Sequence, residues 1–188
     1  SNFTNDVQIT DNHKNEQAEQ YLSLVKKTDE AFQYLVEYFS QVDEPTIIVM
    51  FGDHQPAVTT RFYDSLFGKS SDELTEEELM KKYQTPFIIW ANYDIEETTI
   101  DKMSANYLSA YVLQEAGLKM TPYQKFLMKL YKKLPVISAM GAYDKDGYYY
   151  ESAKETPYED MVQEYQILQY NNLIDTEHTV NSFFYLKE

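Results

Sequence analysis

Thr46 to Phe51, TIIVMF, is a run of apolar and β-branched residues in which no polar position alternates with an apolar one. A strand with one face in water would alternate with a period of two. A strand apolar on both sides belongs in the middle of a sheet that helices cover on each face. This segment restricts the chain to layered α/β folds. The run then stops at Gly52-Asp53-His54-Gln55-Pro56. Open α/β sheets gather ligands at the carboxyl ends of their strands. Asp53 and His54 therefore stand where a site would form, and Gly52 gives the backbone freedom to turn both side chains toward it.

The flanks fit that architecture. Tyr21, Leu22, Val25, Phe32, Leu35, Val36 and Phe39 recur at helical steps, which predicts one long helix from about Glu16 to Val42, ended by Asp43, Glu44 and Pro45. A short helical piece is expected from Arg61 to Phe67, and Thr75 with Glu78 forms a capping box for a helix ending near Tyr83. Pro86 to Ala91, PFIIWA, reads as a second apolar strand. Helices follow over Ser104–Ala116, closed by Gly117 as a C′ residue, and from Thr121-Pro122, with Phe126, Leu127, Leu130 and Tyr131 inward. AYDKDGYYY, Ala142 to Tyr150, predicts a hairpin turning at Asp146-Gly147, and Thr156-Pro157 with Glu159 opens a last helix to about Tyr170. Only two strands are suited to a core, against the usual five or six or so of a covered parallel sheet. The expectation is the C-terminal part of a larger α/β domain. No internal repeat or linker divides the chain, and residues 1–188 are expected to form one domain.

Composition removes several functions. The 188 residues carry a formal charge of −15, and Arg61 is the one arginine. Nucleic acid as a partner is not expected, because binding needs basic groups to displace counterions from phosphates. An anionic lipid surface would repel the chain for the same reason. The chain has no cysteine, which excludes disulfides, thiol catalysis and thiolate zinc sites. No apolar run approaches the roughly 20 residues of a membrane span, so the chain is expected to be soluble. The opening SNFTNDVQIT has neither the basic nor the apolar region of a signal peptide.

A carboxylate oxygen beside an imidazole nitrogen suits Mn²⁺, Zn²⁺ or Fe²⁺ better than Ca²⁺. The same dipeptide also serves as a turn, with Asp53 capping and His54 bonded locally, and two ligands alone do not complete a site. Asp29 lies inside the apolar stripe of the first helix, between Val25 and Phe32. A carboxylate there is expected to be at least partly buried, and it needs a partner. That partner is either a backbone amide or a ligand that Asp29 orients from behind. Gln55 and Arg61 are candidate substrate contacts, since arginine suits phosphate. His13 and His178 read as solvated. Asp144, Asp146 and Gly147 imitate the start of a calcium loop, but no glutamate stands at its end, and a hairpin turn accounts for them. The tyrosines from Tyr148 to Tyr150 leave open a glycan-binding module without catalysis.

The order YLSLVKKTDEAFQYLVEYF, TIIVMFGDHQP, YQTPFIIWANYD, and more loosely EYQILQYNNL in the tail, resembles the C-terminal half of the sulfatase-like catalytic domain of the lipoteichoic acid synthase family, within the alkaline phosphatase superfamily. The resemblance implies part of an α/β/α sandwich of the alkaline phosphatase type, with the N-terminal strands and the nucleophile segment absent. It implies an enzyme anchored in a bacterial membrane with its catalytic domain on the extracellular face. One divalent ion, Mn²⁺ first and Zn²⁺ or Mg²⁺ otherwise, would be held by Asp53 and His54 together with an acidic residue and a threonine upstream. That threonine would attack a lipid phosphodiester such as phosphatidylglycerol and pass a glycerophosphoryl group to a polyglycerolphosphate acceptor. None of Thr4, Thr10 and Thr28 stands in the context of such a nucleophile, so no catalytic residue is expected in this chain. Relatives of the same superfamily include sulfatases and phosphoethanolamine transferases, whose chemistry is the alternative.

Overall fold

A computed structural model describes residues 4–186. The chain forms two compact units, Ser1–Asp94 and Ile95–Glu188.

The first unit opens with α1 (Glu16–Phe39), capped by Asn15, whose side-chain oxygen accepts from the Ala18 N–H at 3.0 Å. The preceding segment runs along its first turns. Val7 N–H donates to Ser23 Oγ at 3.0 Å and Ile9 N–H to Glu19 Oε1 at 3.1 Å, so Glu19 and Ser23 are buried with their polar atoms satisfied. α1 ends three residues short of the predicted Val42, and the chain leaves it through tight turns at Gln41 and Val42. Asn92 fastens this exit. Its Oδ1 accepts from Thr46 N–H at 2.8 Å, and its Nδ2 lies 3.1 Å from Phe39 O, 2.8 Å from Val42 O and 3.0 Å from Glu44 O.

β1 (Ile47–Phe51) is followed by α2 (Thr60–Phe67), α3 (Glu76–Met80) and β2 (Phe87–Ala91). The Thr75/Glu78 capping box forms as predicted, and Lys69 reinforces it at 2.6 Å from Glu78. The hydrogen bond from Lys69, with the Thr75 N–H, holds the Glu78 carboxyl down at about 2. β1 and β2 pair antiparallel, Ile47 opposite Ala91 and Phe51 opposite Phe87. The parallel sheet expected from the sequence is corrected here. An unalternating apolar run reports how many faces are covered and carries no information on a neighbour's direction. The cover is also incomplete: Phe51 is 60 % exposed and Ile88 43 %.

The second unit packs α4 (Ala105–Glu115) against α5 (Pro122–Tyr131), with a meander of β3 (Val136–Ser138), β4 (Gly141–Tyr143) and β5 (Tyr149–Tyr150), then α6 (Glu159–Leu173) and α7 (Asn181–Phe184). Gly117 takes the left-handed φ of 66° that a C′ position requires. Tyr107, Ala110, Leu127, Leu130, Leu134, Ala142 and Val162 form the core, and Lys125, Lys129, Lys132 and Lys133 face outward. Phe126 and Tyr131 are half-buried, while Met128 takes a core position. The hairpin at Asp146-Gly147 is present, and β3 adds a third strand that its three residues were too short to announce. Among the described residues no helix is long and apolar enough to cross a membrane.

Candidate functional site

β1 delivers the chain to Gly52, which is fixed from the neighbouring strand. Gly52 N–H donates to Pro86 O at 3.0 Å, and Thr85 Oγ1 donates to Gly52 O at 2.8 Å. Thr85 stands so close that a Cβ on Gly52 would lie 2.9 Å from its Cβ. The glycine is thus required by the approach of a neighbour, since its φ is not among the positive ones.

Asp53 and His54 follow and project outward, their side chains 82 % and 77 % exposed. Asp53 Oδ1 accepts from the His54 N–H at 2.9 Å, and its Oδ2 lies 3.4 Å from His54 Nε2. His54 Nδ1 lies 2.9 Å from the Gln55 carbonyl oxygen. A carbonyl only accepts, so Nδ1 carries the proton in that contact. Nε2 of the neutral ring is then a lone pair turned toward a carboxylate oxygen. Two electron-pair donors held this way share either a second ring proton or a cation.

The pair lines one wall of a cleft of about 470 Å³. That wall is Gly52, Asp53, His54, Pro56, Ala57 and Val58; the other is Gln17, Gln20, Tyr21 and Leu24 of α1. The loop is braced from behind. Tyr63 OH donates to Pro56 O at 2.9 Å, and Asn15 Nδ2 donates to Thr59 Oγ1 at 3.3 Å, tying the start of α1 to the start of α2. Burial raises the Tyr63 phenol above its ordinary range, so the hydroxyl remains a donor throughout the neutral range.

The structure therefore brings Asp53 and His54 together and places the other candidates apart from the cleft lining. Gln55 donates through Nε2 to the Gln84 carbonyl and ties the loop to the segment before β2. Arg61 is exposed on the first turn of α2. Asp29 is exposed, which corrects its predicted burial. The stripe it belongs to is uncovered over that turn, with Leu22 37 % and Val25 44 % exposed, and closes only toward Phe32, Val36 and Phe39. His13 is half-buried, and its Nδ1 bonds Ser65 Oγ in an exposed contact. Gln17 and Gln20 escaped the sequence reading because polar residues in a first helical turn look like solvated surface. The signal was their i, i+3, i+4, i+7 spacing with Tyr21 and Leu24, which sets all four on one face.

A carboxylate and an imidazole supply two ligands of a divalent ion, and this donor set fits one. No group of three or more His, Cys, Asp or Glu able to hold a metal exists among the described residues. Further ligands would have to come from elsewhere.

An α/β unit with an Asp-His pair at the end of an apolar strand, open to a cleft, has the arrangement of a strand-end ligand site. Residues 2–118 match the Sulfatase family model, well over half of the chain, and the chain belongs to the sulfatase family. A curated relative, the putative cyclic beta-1,2-glucan modification protein of Rhizobium meliloti (strain 1021), is 26 % identical over 168 residues, 87 % of this chain and 26 % of that protein. The fold matches Streptococcus pyogenes phosphoglycerol transferase GacH, solved in complex with sn-glycerol-1-phosphate, with a TM-score of 0.65 and 20 % identity over 92 % of this chain. The chain is thus a mixed α/β protein with part of an alkaline phosphatase-like fold. It spans about a quarter of the length of that relative and 41 % of the solved chain.

Proposed function

We propose that this chain is the C-terminal part of a metal-dependent phosphoglycerol (phosphodiester) transferase acting at the outer face of a bacterial membrane, and that it contributes the Asp53–His54 half of the metal site. The observation that carries the reading is the 3.4 Å approach of His54 Nε2 to Asp53 Oδ2 at the end of β1. Sharing only a ring proton, an exposed carboxylate and imidazole gain little from the approach. When bound, a divalent ion, Mn²⁺ first and Zn²⁺ or Mg²⁺ as alternatives, would acidify the attacking hydroxyl and neutralise charge on the phosphoryl oxygens. Asp53 and His54 hold their share of its coordination. The Gln55 carbonyl keeps the His54 ring in the tautomer that presents Nε2, and Thr85 with Pro86 fixes the strand end beneath them.

The nucleophile, a threonine, and its acidic neighbour belong to the segment upstream, and the donor is a lipid phosphodiester such as phosphatidylglycerol, with a polyglycerolphosphate acceptor. Membership of the sulfatase family and the fold shared with a protein solved with glycerol phosphate both support this. The glycan-module alternative leaned on the hairpin tyrosines. Tyr149 OH is used by Met140 O at 2.6 Å and Tyr150 OH by Asp144 at 3.1 Å, which favours a structural role for both.

The test is Mn²⁺ and Zn²⁺ titration by calorimetry on the intact protein and on its Asp53→Ala/His54→Ala variant, followed by turnover of a phosphatidylglycerol analogue. Micromolar binding and turnover, both abolished in the variant, are expected. Equal metal affinity in the variant would make Asp53 and His54 turn residues and end the proposal.

A further inference from the structure

The wall of the cleft opposite the Asp53–His54 pair is one helix face. Gln17, Gln20, Tyr21 and Leu24 follow at i, i+3, i+4 and i+7, and neither glutamine side chain is engaged among the described residues. A carboxamide offers two donors and an acceptor, the complement of a hydroxyl that both gives and takes a hydrogen bond. Tyr21, 37 % exposed, presents ring surface beside them for carbon-bound hydrogens. Among the described residues no lysine or arginine lines the cleft, and the chain carries −15 overall. An anionic group could be held only where a cation sits with Asp53 and His54. What lies against the α1 wall must be uncharged and able to hydrogen-bond. At about 470 Å³ the cleft has the capacity of a small-molecule site, and a three-carbon polyol or one sugar ring fits within it.

We infer that Gln17, Gln20 and Tyr21 form a hydroxyl-reading wall that selects a polyol phosphate, glycerol or sugar, by its alcohol part while the phosphate faces Asp53 and His54. This deepens the proposed function and rests on it for the place of the phosphate. The glutamines are specificity-determining residues and take no part in bond making.

Two probes separate the alcohol from the phosphate: sn-glycerol 1-phosphate, and methyl phosphate, which has the same charge and no free hydroxyl on carbon. Both are titrated by calorimetry into the intact protein with Mn²⁺, before and after Gln17→Leu with Gln20→Leu. Two lost hydrogen bonds to hydroxyls predict roughly a tenfold weaker glycerol phosphate, with methyl phosphate unchanged within about twofold. The inference is overturned if both probes weaken alike, if neither changes, or if the unaltered protein does not prefer glycerol phosphate to methyl phosphate. Should the double variant lose its melting transition, Gln20→Met, similar in length and helix propensity, gives the same comparison with about half the effect on a logarithmic scale. Asp53→Ala with His54→Ala is the separate arm. If both phosphates bind that variant as before, the metal assignment fails, while the preference for glycerol phosphate and its loss in the glutamine variants still decide the wall.

Discussion

Two aspartates near strand ends show how differently one residue type can be used. Asp144 is 6 % exposed, and its carboxylate accepts from Asp146 N–H at 2.9 Å, Tyr148 N–H at 3.0 Å and Tyr150 OH at 3.1 Å. Burial alone would raise its pKa, but these hydrogen bonds and Lys145 outweigh it and hold the carboxyl below its ordinary value. Asp53, 82 % exposed, spends one oxygen on the next amide and aims the other at an imidazole. The role of Asp144 was legible, because Asp-x-Asp-Gly between two strands is turn chemistry. That of Asp53 was not, because Gly-Asp-His serves a turn or a ligand equally well and only atomic positions show where Nε2 points. With a depressed folded pKa, Asp144 binds fewer protons folded than unfolded between the two values, so its contribution is complete above the unfolded value of about 3.9 and is lost as pH falls through the folded one. Thermal melts from neutral pH to pH 2 should show Asp144→Asn less stable at neutral pH and flatter below about pH 4 than the unaltered protein. Parallel curves would show that the hairpin gains nothing from the charge.

At the scale of elements, the start of α1 was readable from its stripe, and α3, α4 and α5 from their capping residues. What covers each face was not. Asp29 shows the reason: periodicity identifies a side of a helix, while burial requires a second surface that the sequence of the helix does not contain. The pairing of β1 with β2 is held by contacts equally invisible in sequence. Asn92 sits one residue past β2, yet it satisfies the end of α1 and the start of β1 together. Asn92→Ala leaves Thr46 N–H and up to three carbonyls short of a partner in a half-buried corner and should cost about 2 kcal/mol, read as a lower denaturation midpoint with an unchanged slope. Gly52→Ala acts at the other end of β1. The added Cβ meets Thr85 at 2.9 Å, and strand or threonine must move. A destabilisation of about 1–3 kcal/mol is expected. Metal affinity should fall with it, because Asp53 and His54 ride on the displaced segment. A Gly52→Ala protein as stable and as tightly metal-binding as its parent would show that the close approach is dispensable.

The whole molecule sets unsatisfied apolar surface against a large like charge. Leu22, Val25 and Leu35 on α1 are 37–44 % exposed, and Phe51 on β1 is 60 % exposed. Scattered apolar residues on a surface are ordinary; several along one helix mark a face that another surface covers. The chain accounts for 26 % of the curated relative and 41 % of the solved chain, and the proposed function would place the remainder of the sulfatase domain over that face. The 188 residues produced alone would hold this face open, with a charge of −15 keeping copies apart. Salt shortens the range of that repulsion from about 10 Å at 0.1 M to about 3 Å at 1 M and leaves apolar attraction intact. Sedimentation should therefore find the isolated chain monomeric at low salt and increasingly associated as salt is raised, with Leu22→Lys and Val25→Lys together suppressing the association. The intact protein should show no such dependence. Association that instead weakens with salt would mean that copies meet through charged groups. The open face of α1 would then need no cover, and the assignment of this chain to one part of a larger domain would lose its physical support.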